Sequence, residues 1–446
     1  MDKWQPWSRS NRMKILNFRL LVAFCCVCLQ IGCSVTNTDD SLTIVYSGNL
    51  DGSIEPCGCS TGGNFGGIMR RANAIDSLRK ETKNIVLLST GGLFVTGQPQ
   101  DIIKGEYILR GLKKMRYDSI GIQRGDLSFG VDFLTNHSLP YTSSNWMDDE
   151  FAKRQVVKRG KKKIEIFSWL DPALGAQSLT HSTDSVSGDV APLLKGLSEA
   201  KQKERLTVLA TTLTLPETLN LVSLENVDIL LIKADDEMVA DPLEHNRTLV
   251  LKHGLRGMRL GRLDLSIDAF GGVADWTHTS ISLPPEVGEW APLTKWYEQY
   301  VKSIRASYEE QAAIMAGNRT EESEYTGAES CNDCHADSYN LWAGSRHSGA
   351  FQSLRSVEKA FDPSCLSCHT VGFRQPGGFI DTVVTPELIN VQCEACHGVG
   401  KLHNESEGVE LMPNSDVPME QICVSCHTHE NSPDFSRSAY WEQIKH

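Results

Sequence analysis

Basic charge is in short supply in this chain. Its 446 residues hold 44 Lys and Arg against 56 Asp and Glu, a formal net charge of −12. Phosphate binding needs a basic face, so this balance argues against nucleic acid as a partner. It is compatible with steering toward a basic partner. Long apolar runs are missing too. The stretch Leu20 to Gly32, behind Lys14 and Arg19, stops after 13 residues, too few to span a bilayer comfortably, and reads as the core of an export signal. With 40% hydrophobic and 22% charged residues, the composition is neither that of a disordered chain nor that of a membrane-embedded one. Cysteine outside a few clusters is absent, which leaves no disulfide framework. Of the 14 cysteines, Cys25, Cys26, Cys28 and Cys33 lie in the apolar run, Cys57 and Cys59 form an isolated Cys-Gly-Cys, and eight remain.

Those eight carry the strongest signal in the sequence. They form four copies of Cys-x-x-Cys-His: Cys331-Cys334-His335, Cys365-Cys368-His369, Cys393-Cys396-His397 and Cys423-Cys426-His427. This pentapeptide is the covalent attachment signal for c-type haem, the thiols bonding the porphyrin and the adjacent imidazole ligating iron. Zinc ribbons also use paired Cys-x-x-Cys, but they do not require His directly after the second thiol. The expected cofactor is therefore four covalently attached haem c groups, with His335, His369, His397 and His427 as proximal ligands. A second His on an iron gives an electron-transfer haem, whereas an open position can bind a small molecule. His347, His403, His429 and His446 are the remaining histidines of this segment.

The rest of the chain reads as layers. Short apolar runs at Leu42–Ser47, Asn84–Ser89, Ser119–Gln123, Lys163–Trp169, Leu206–Thr211, Val227–Ile232, Thr248–Leu251 and Arg262–Ile267 are expected to be strands. Between the first two, Gly67–Arg79 has helical spacing. Alternation of this kind argues for a layered α/β domain over 42–283. Residues Pro292 to Met315 carry Trp296, Tyr300 and Ile304 at helical spacing, so 284–324 reads as a linker helix. A haem domain follows over 325–446. With one haem per roughly 30 residues, porphyrin must supply much of its core. The fold expected is multidomain α+β: an α/β domain, a linker helix and a mainly helical tetrahaem domain.

The C-terminal segment resembles the cytochrome c-554 family of tetrahaem cytochromes. The likeness is carried by Tyr325-Thr-Gly-Ala-Glu-Ser-Cys331, Leu341-Trp-Ala-Gly-Ser-Arg-His347, Cys365-Leu-Ser-Cys-His-Thr-Val-Gly-Phe373, Val391-Gln-Cys-Glu-Ala-Cys-His397 and Tyr440-Trp-Glu-Gln-Ile-Lys-His446. The resemblance implies three haems with two histidines and one five-coordinate haem. It places distal ligands at His347, His403 and His446, treats His429 as a surface residue, and assigns the five-coordinate iron to the motif ending at His369. Which distal histidine serves which iron is left open.

The α/β domain resembles 5′-nucleotidases of the calcineurin-type metallophosphatases. Ser47-Gly-Asn-Leu-Asp-Gly52, Gly66-Gly-Ile-Met-Arg-Arg-Ala72, Leu87-Leu-Ser-Thr-Gly-Gly-Leu-Phe94 and Asp118 to Gly130 follow that group's order. Its metal ligands are replaced by Asn49, Asp51, Gly92 and Arg124-Gly125, and later by Thr211-Thr212 and Lys233 to Asp236. A two-metal hydrolase needs most of these groups, so a scaffold for docking, binding or spacing is expected instead of phosphoester hydrolysis. In the adjoining loop, Cys57 and Cys59 are candidates for a soft metal or redox role, set against two reduced thiols in a tight turn.

Residues 1–33 read as a signal peptide of lipoprotein type, Ile31-Gly-Cys33-Ser resembling a lipidation box with Cys33 as the modified residue. The leading expectation is an exported cytochrome in the periplasm or outer envelope, lipid-anchored to a membrane and passing electrons between redox partner proteins. One alternative is an oxidoreductase of a small nitrogen or sulfur compound at a five-coordinate haem. Another is a ligand or metal sensor working through the N-terminal domain.

Overall fold

Twelve strands divide into two six-stranded sheets. In the computed structural model the described residues are 41–56, 58, 63–173, 185–236, 238–319, 323–429 and 431–446, and they belong to one compact unit. The first sheet contains β1 (Ser41–Ser47), β2 (Ile85–Ser89), β3 (Ser119–Gly121), β4 (Tyr141–Thr142), β11 (Arg259–Ile267) and β12 (Val273–Ser282), in the order β12-β11-β1-β2-β3-β4. The second contains β5 (Gln155–Arg159), β6 (Lys162–Trp169), β7 (Leu206–Thr211), β8 (Ile229–Ile232), β9 (Leu243–His245) and β10 (Thr248–Lys252), in the order β5-β6-β7-β8-β10-β9. Strands β1 to β4 pair in parallel, as do β6, β7, β8 and β10, while the hairpin partners at the edges are antiparallel.

The central strands are apolar on both faces because both faces are covered. Between the sheets, Leu42, Ile44, Tyr46, Val86 and Leu88 meet Ile164, Ile166, Val208, Ile229 and Leu251 in one core. On the outer face of the second sheet, helix Ala191–Gln202 contributes Leu193, Leu197 and Ala200. Over the first sheet lie helices Ile68–Glu81 and Asp101–Met115, with helix Thr294–Gly317 beside them. The layers thus run helix, sheet, sheet, helix.

Helix Thr294–Gly317 buries Trp296, Tyr300, Ile304, Tyr308 and Ala312, a stripe repeating every fourth residue. Its first half is fixed to the α/β layers: Trp296 Nε1 donates to the Tyr107 carbonyl at 3.0 Å, and Tyr107 Oη meets Ser303 Oγ at 2.9 Å. Its second half holds the C-terminal segment, Tyr308 Oη donating to the Ile380 carbonyl at 2.9 Å. Phe351, Leu354, Phe361, Leu366, Val371, Phe379 and Leu388 share one apolar core with this helix and the α/β domain. Direct ties add to it: Lys359 pairs with Glu55 at 2.6 Å, Lys104 Nζ donates to Ser364 Oγ at 2.8 Å, and Arg374 reaches Gln98, Gln100 and Gln311.

Past Leu388 the pattern changes. Among the described residues no apolar side chain beyond that point is buried, and Leu402, Val409 and Leu411 are 64%, 81% and 74% exposed. No described helix is long and apolar enough to cross a membrane.

Candidate redox site

Each Cys-x-x-Cys-His motif sits on a short helical turn. The turns are Ala328–Asn332, Pro363–His369, Cys393–His397 and Met419–Val424. His335 N donates to the Cys331 carbonyl and His427 N to that of Cys423, both at 2.9 Å, so first thiol and imidazole share one face, four residues apart. Asp362 caps the second motif by accepting from Ser364 N at 3.0 Å. No disulfide joins any of the eight motif cysteines. The Cys331 and Cys393 thiols lie within hydrogen-bonding reach, as do those of Cys368 and Cys426, and Cys396 neighbours Cys423 and Cys426. Proximity therefore strings the motifs in the order first, third, fourth, second.

Three imidazole pairs cross this string. The ring centroids of His335 and His403 are 6.1 Å apart, those of His347 and His427 6.2 Å, and those of His397 and His446 5.8 Å. With metal–nitrogen bonds of about 2 Å on either side, two imidazoles sharing one metal would stand with ring centroids roughly 6 Å apart. Each pair joins one motif histidine to one of the three candidate distal histidines. The tail reaches His397 by folding over the fourth motif, Phe435 stacking on His427 at 4.6 Å.

Hydrogen bonding orients several rings for ligation. His403 Nδ1 lies 2.6 Å from the Glu410 carbonyl, His446 Nδ1 2.9 Å from that of Ile444, and His369 Nδ1 2.6 Å from that of Ala350. A carbonyl only accepts, so in each ring Nδ1 carries the proton and Nε2 keeps its lone pair. Burial lowers the pKa of His347, His397 and His427, which favours the neutral ring a metal needs. His369 belongs to none of the three pairs; its ring faces Ala350 and Ser353 Oγ, the latter at 3.5 Å. His429 is exposed on the turn after the fourth motif.

These features fit haem. Paired rings are spaced for a shared metal, thiols stand beside them, and exposed apolar side chains surround the motifs where a porphyrin would cover them. Sequence reasoning missed two buried residues, Gln392 and Glu394, which bind the segments together. Their only sequence signal is a polar residue before and inside the third motif.

At the carboxyl ends of β1, β2 and β3, a hydrogen-bonded network fills the place expected of a metal site. Asn49 Nδ2 donates to Asp51 Oδ1 at 3.0 Å and Gln123 Nε2 to Asn49 Oδ1 at 2.7 Å; Arg256 N occupies Asp51 Oδ2 at 3.1 Å. Gly92 adopts φ +71°, and a Cβ there would lie 2.6 Å from the Asn49 amide. Beneath it, Asp126 accepts from the backbone of Gly92 and Gln123, both at 2.9 Å, and of Leu93. Thr212 Oγ1 accepts from Asp171 N, and Asp235 pairs with Lys252. His253 is fully buried under Gly48, its pKa pushed down to about 4 by burial. Among the described residues no group of three or more His, Cys, Asp or Glu is placed to hold a metal ion. Cys33, Cys57, Cys59 and the signal segment lie outside the described residues.

Residues 330–398 match the family described as cytochrome c554 and c-prime. The C-terminal part is similar to cytochrome c-554 of Nitrosomonas europaea, 29% identical over a 141-residue alignment that covers 24% of this chain and 60% of that protein. The chain thus spans less than two thirds of that relative. The fold is similar to a 5′-nucleotidase precursor from Thermus thermophilus, with TM-score 0.53 and 16% identity over 82% of this chain and 73% of the other. It is also similar to the sulfate thiohydrolase SoxB of the same organism, with TM-score 0.50 and 14% identity over 59% of this chain and 60% of that one. At these identities the two structures establish the metallophosphatase-like fold and nothing of activity. The family match implies covalently bound haem c in the C-terminal segment.

Proposed function

We propose that this chain is an exported tetrahaem cytochrome that carries electrons between redox proteins of the periplasm or outer envelope. The observation that carries the reading is the set of three imidazole pairs, each about 6 Å across and each joining a motif histidine to a distal one. Bound haem would supply one-electron chemistry at iron. The chain would hold it through the eight motif thiols and the histidine pairs His335/His403, His397/His446 and His427/His347. The metallophosphatase-like domain serves as a docking or spacing scaffold. Supporting this, it packs on the second motif through Lys104, Glu55 and Gln100, while its old ligand positions are filled by amides and backbone bonds. Cys33 is assigned as the lipid attachment site, and Cys57 and Cys59 as a separate soft-metal or redox pair.

One observation favours a second reading, an oxidoreductase of a small nitrogen or sulfur compound. His369 stands outside the pairs, so its iron is the candidate for an open sixth position. Mass spectrometry of the holoprotein should find four haems, and a redox titration should resolve four one-electron steps. Adding CO to the ferrous protein should shift about a quarter of the Soret band, and His403→Ala should roughly double that fraction. No CO response in the parent would remove the enzymatic reading; no added response in the variant would reject the pairing.

A further inference from the structure

We propose that Glu394 positions the first and third haem sites and sets their reduction potentials, an inference that rests on the cytochrome reading above. Glu394 lies between the two thiols of the third motif, yet its side chain turns inward and only 3% of the residue is exposed. Oε1 accepts from Gly400 N at 2.8 Å and Thr326 N at 3.0 Å; Oε2 accepts from Gly327 N at 2.9 Å and Thr326 N at 3.2 Å. Both oxygens face donors, an arrangement suited to a carboxylate and not to a carboxylic acid, which must place its own proton.

The three N–H groups come from two different segments. Thr326 and Gly327 lead into helix Ala328–Asn332, which bears Cys331. Gly400 opens helix Lys401–Glu405, which bears His403, the partner of His335. Glu394 itself belongs to the third motif, whose Cys393 thiol touches that of Cys331. One side chain therefore clamps the first attachment site, its distal ligand and the third attachment site together. It also fixes a negative charge, away from bulk water, beside the two motifs that would hold the first and third irons. Such a charge favours the more positive, oxidised iron and lowers its potential.

The neighbouring Gln392 does a similar mechanical job without charge. Its Oε1 accepts from Ala328 N at 2.7 Å, and its Nε2 donates to the carbonyls of Glu387 and Ile389 at 2.6 and 2.7 Å. A purely structural clamp and a charged one can thus be compared side by side.

The test is a spectroelectrochemical titration of the full-length holoprotein, followed by EPR and by the ferrous CO spectrum. In Glu394→Gln, two of the four potentials should rise, each by about tenfold in the one-electron equilibrium, or ~59 mV. The CO-responsive fraction should stay as in the parent, which shows that His403 is still bound. Gln392→Ala should leave all four potentials at the parent's values. Four unchanged potentials in Glu394→Gln with six-coordination intact would overturn the proposal, as would an equal rise in Gln392→Ala. Should Gln at 394 prevent haem incorporation, Glu394→Asp keeps the charge and should retain the parent's potentials; a positive shift there with intact bis-imidazole EPR signals would overturn it. A parent protein lacking four covalent haems by mass would instead reject the cytochrome reading itself, before any variant is compared.

Discussion

Asp126 is the residue on which the hydrogen-bonded network at the carboxyl ends of β1, β2 and β3 rests. Burial raises its pKa to about 6, against the opposing pull of N–H groups from Gln123, Leu93, Gly92 and Phe94. A carboxyl whose folded pKa lies above its unfolded value contributes stability that is fully present below about pH 4 and lost as pH rises through 6. An asparagine there cannot ionise. The parent should therefore lose about 3 kcal/mol relative to Asp126→Asn between pH 4 and pH 7, read from denaturant midpoints across that range. A difference that stays flat over this window would show that the carboxyl does not change its charge there. At neutral pH the variant also meets a cost, because its amide must turn its NH2 donor toward either the Leu93 N–H or those of Gly92 and Gln123, all of which donate to the carboxylate. The pH dependence, rather than the absolute stability, is the diagnostic quantity.

At the scale of elements, helix Thr294–Gly317 is the shared wall of two dissimilar halves. Trp296 and Tyr300 pack against Tyr107 with ring centroids 5.5 to 6.1 Å away, and Tyr308 holds Ile380 from the opposite end. Trp296→Ala should cost about 3–5 kcal/mol through the cavity it leaves. Because the wall is shared, unfolding followed by far-UV circular dichroism and by the Soret band should shift together. A Soret transition that stays in place would mean that the haem segment stands independently of the α/β layers. This helix was legible in the sequence, since Trp296, Tyr300 and Ile304 already repeat at the helical period. So were the eight apolar runs, each of which became a strand. The four strands that were not legible, β4, β5, β9 and β12, lie at sheet edges. There Gln155–Arg159 and Val273–Ser282 carry charges and exposed positions that mask any apolar run. The four Cys-x-x-Cys-His motifs were legible because a covalent attachment signal has fixed residue types at fixed spacing. The histidine pairing was not, since it depends on which turns meet in space. Glu394 was hidden for the same reason: its partners lie 67 and 68 residues before it and six residues after it.

For the whole molecule, what matters is where the apolar core ends. Composition alone suggests a haem domain starting near residue 325. In the structure Phe351, Phe361, Leu366, Phe379 and Leu388 belong to the same core as the α/β helices, so that core extends well into the haem segment. Among the described residues beyond Leu388, burial is confined to Gln392, Glu394 and a glycine, while Leu402, Val409 and Leu411 face outward. A stretch with so little buried apolar surface cannot offset the entropy of ordering its backbone. Porphyrin is the surface available to complete it. Protein made without haem attachment should therefore keep a folded body from about residue 41 to about residue 388 and lose order after it. Limited proteolysis with mass mapping should cut first beyond residue 390, and the holoprotein should resist under the same conditions. First cuts between 318 and 325 would place the boundary at the linker instead, and would mean that the haems organise the whole C-terminal segment rather than only its outer half.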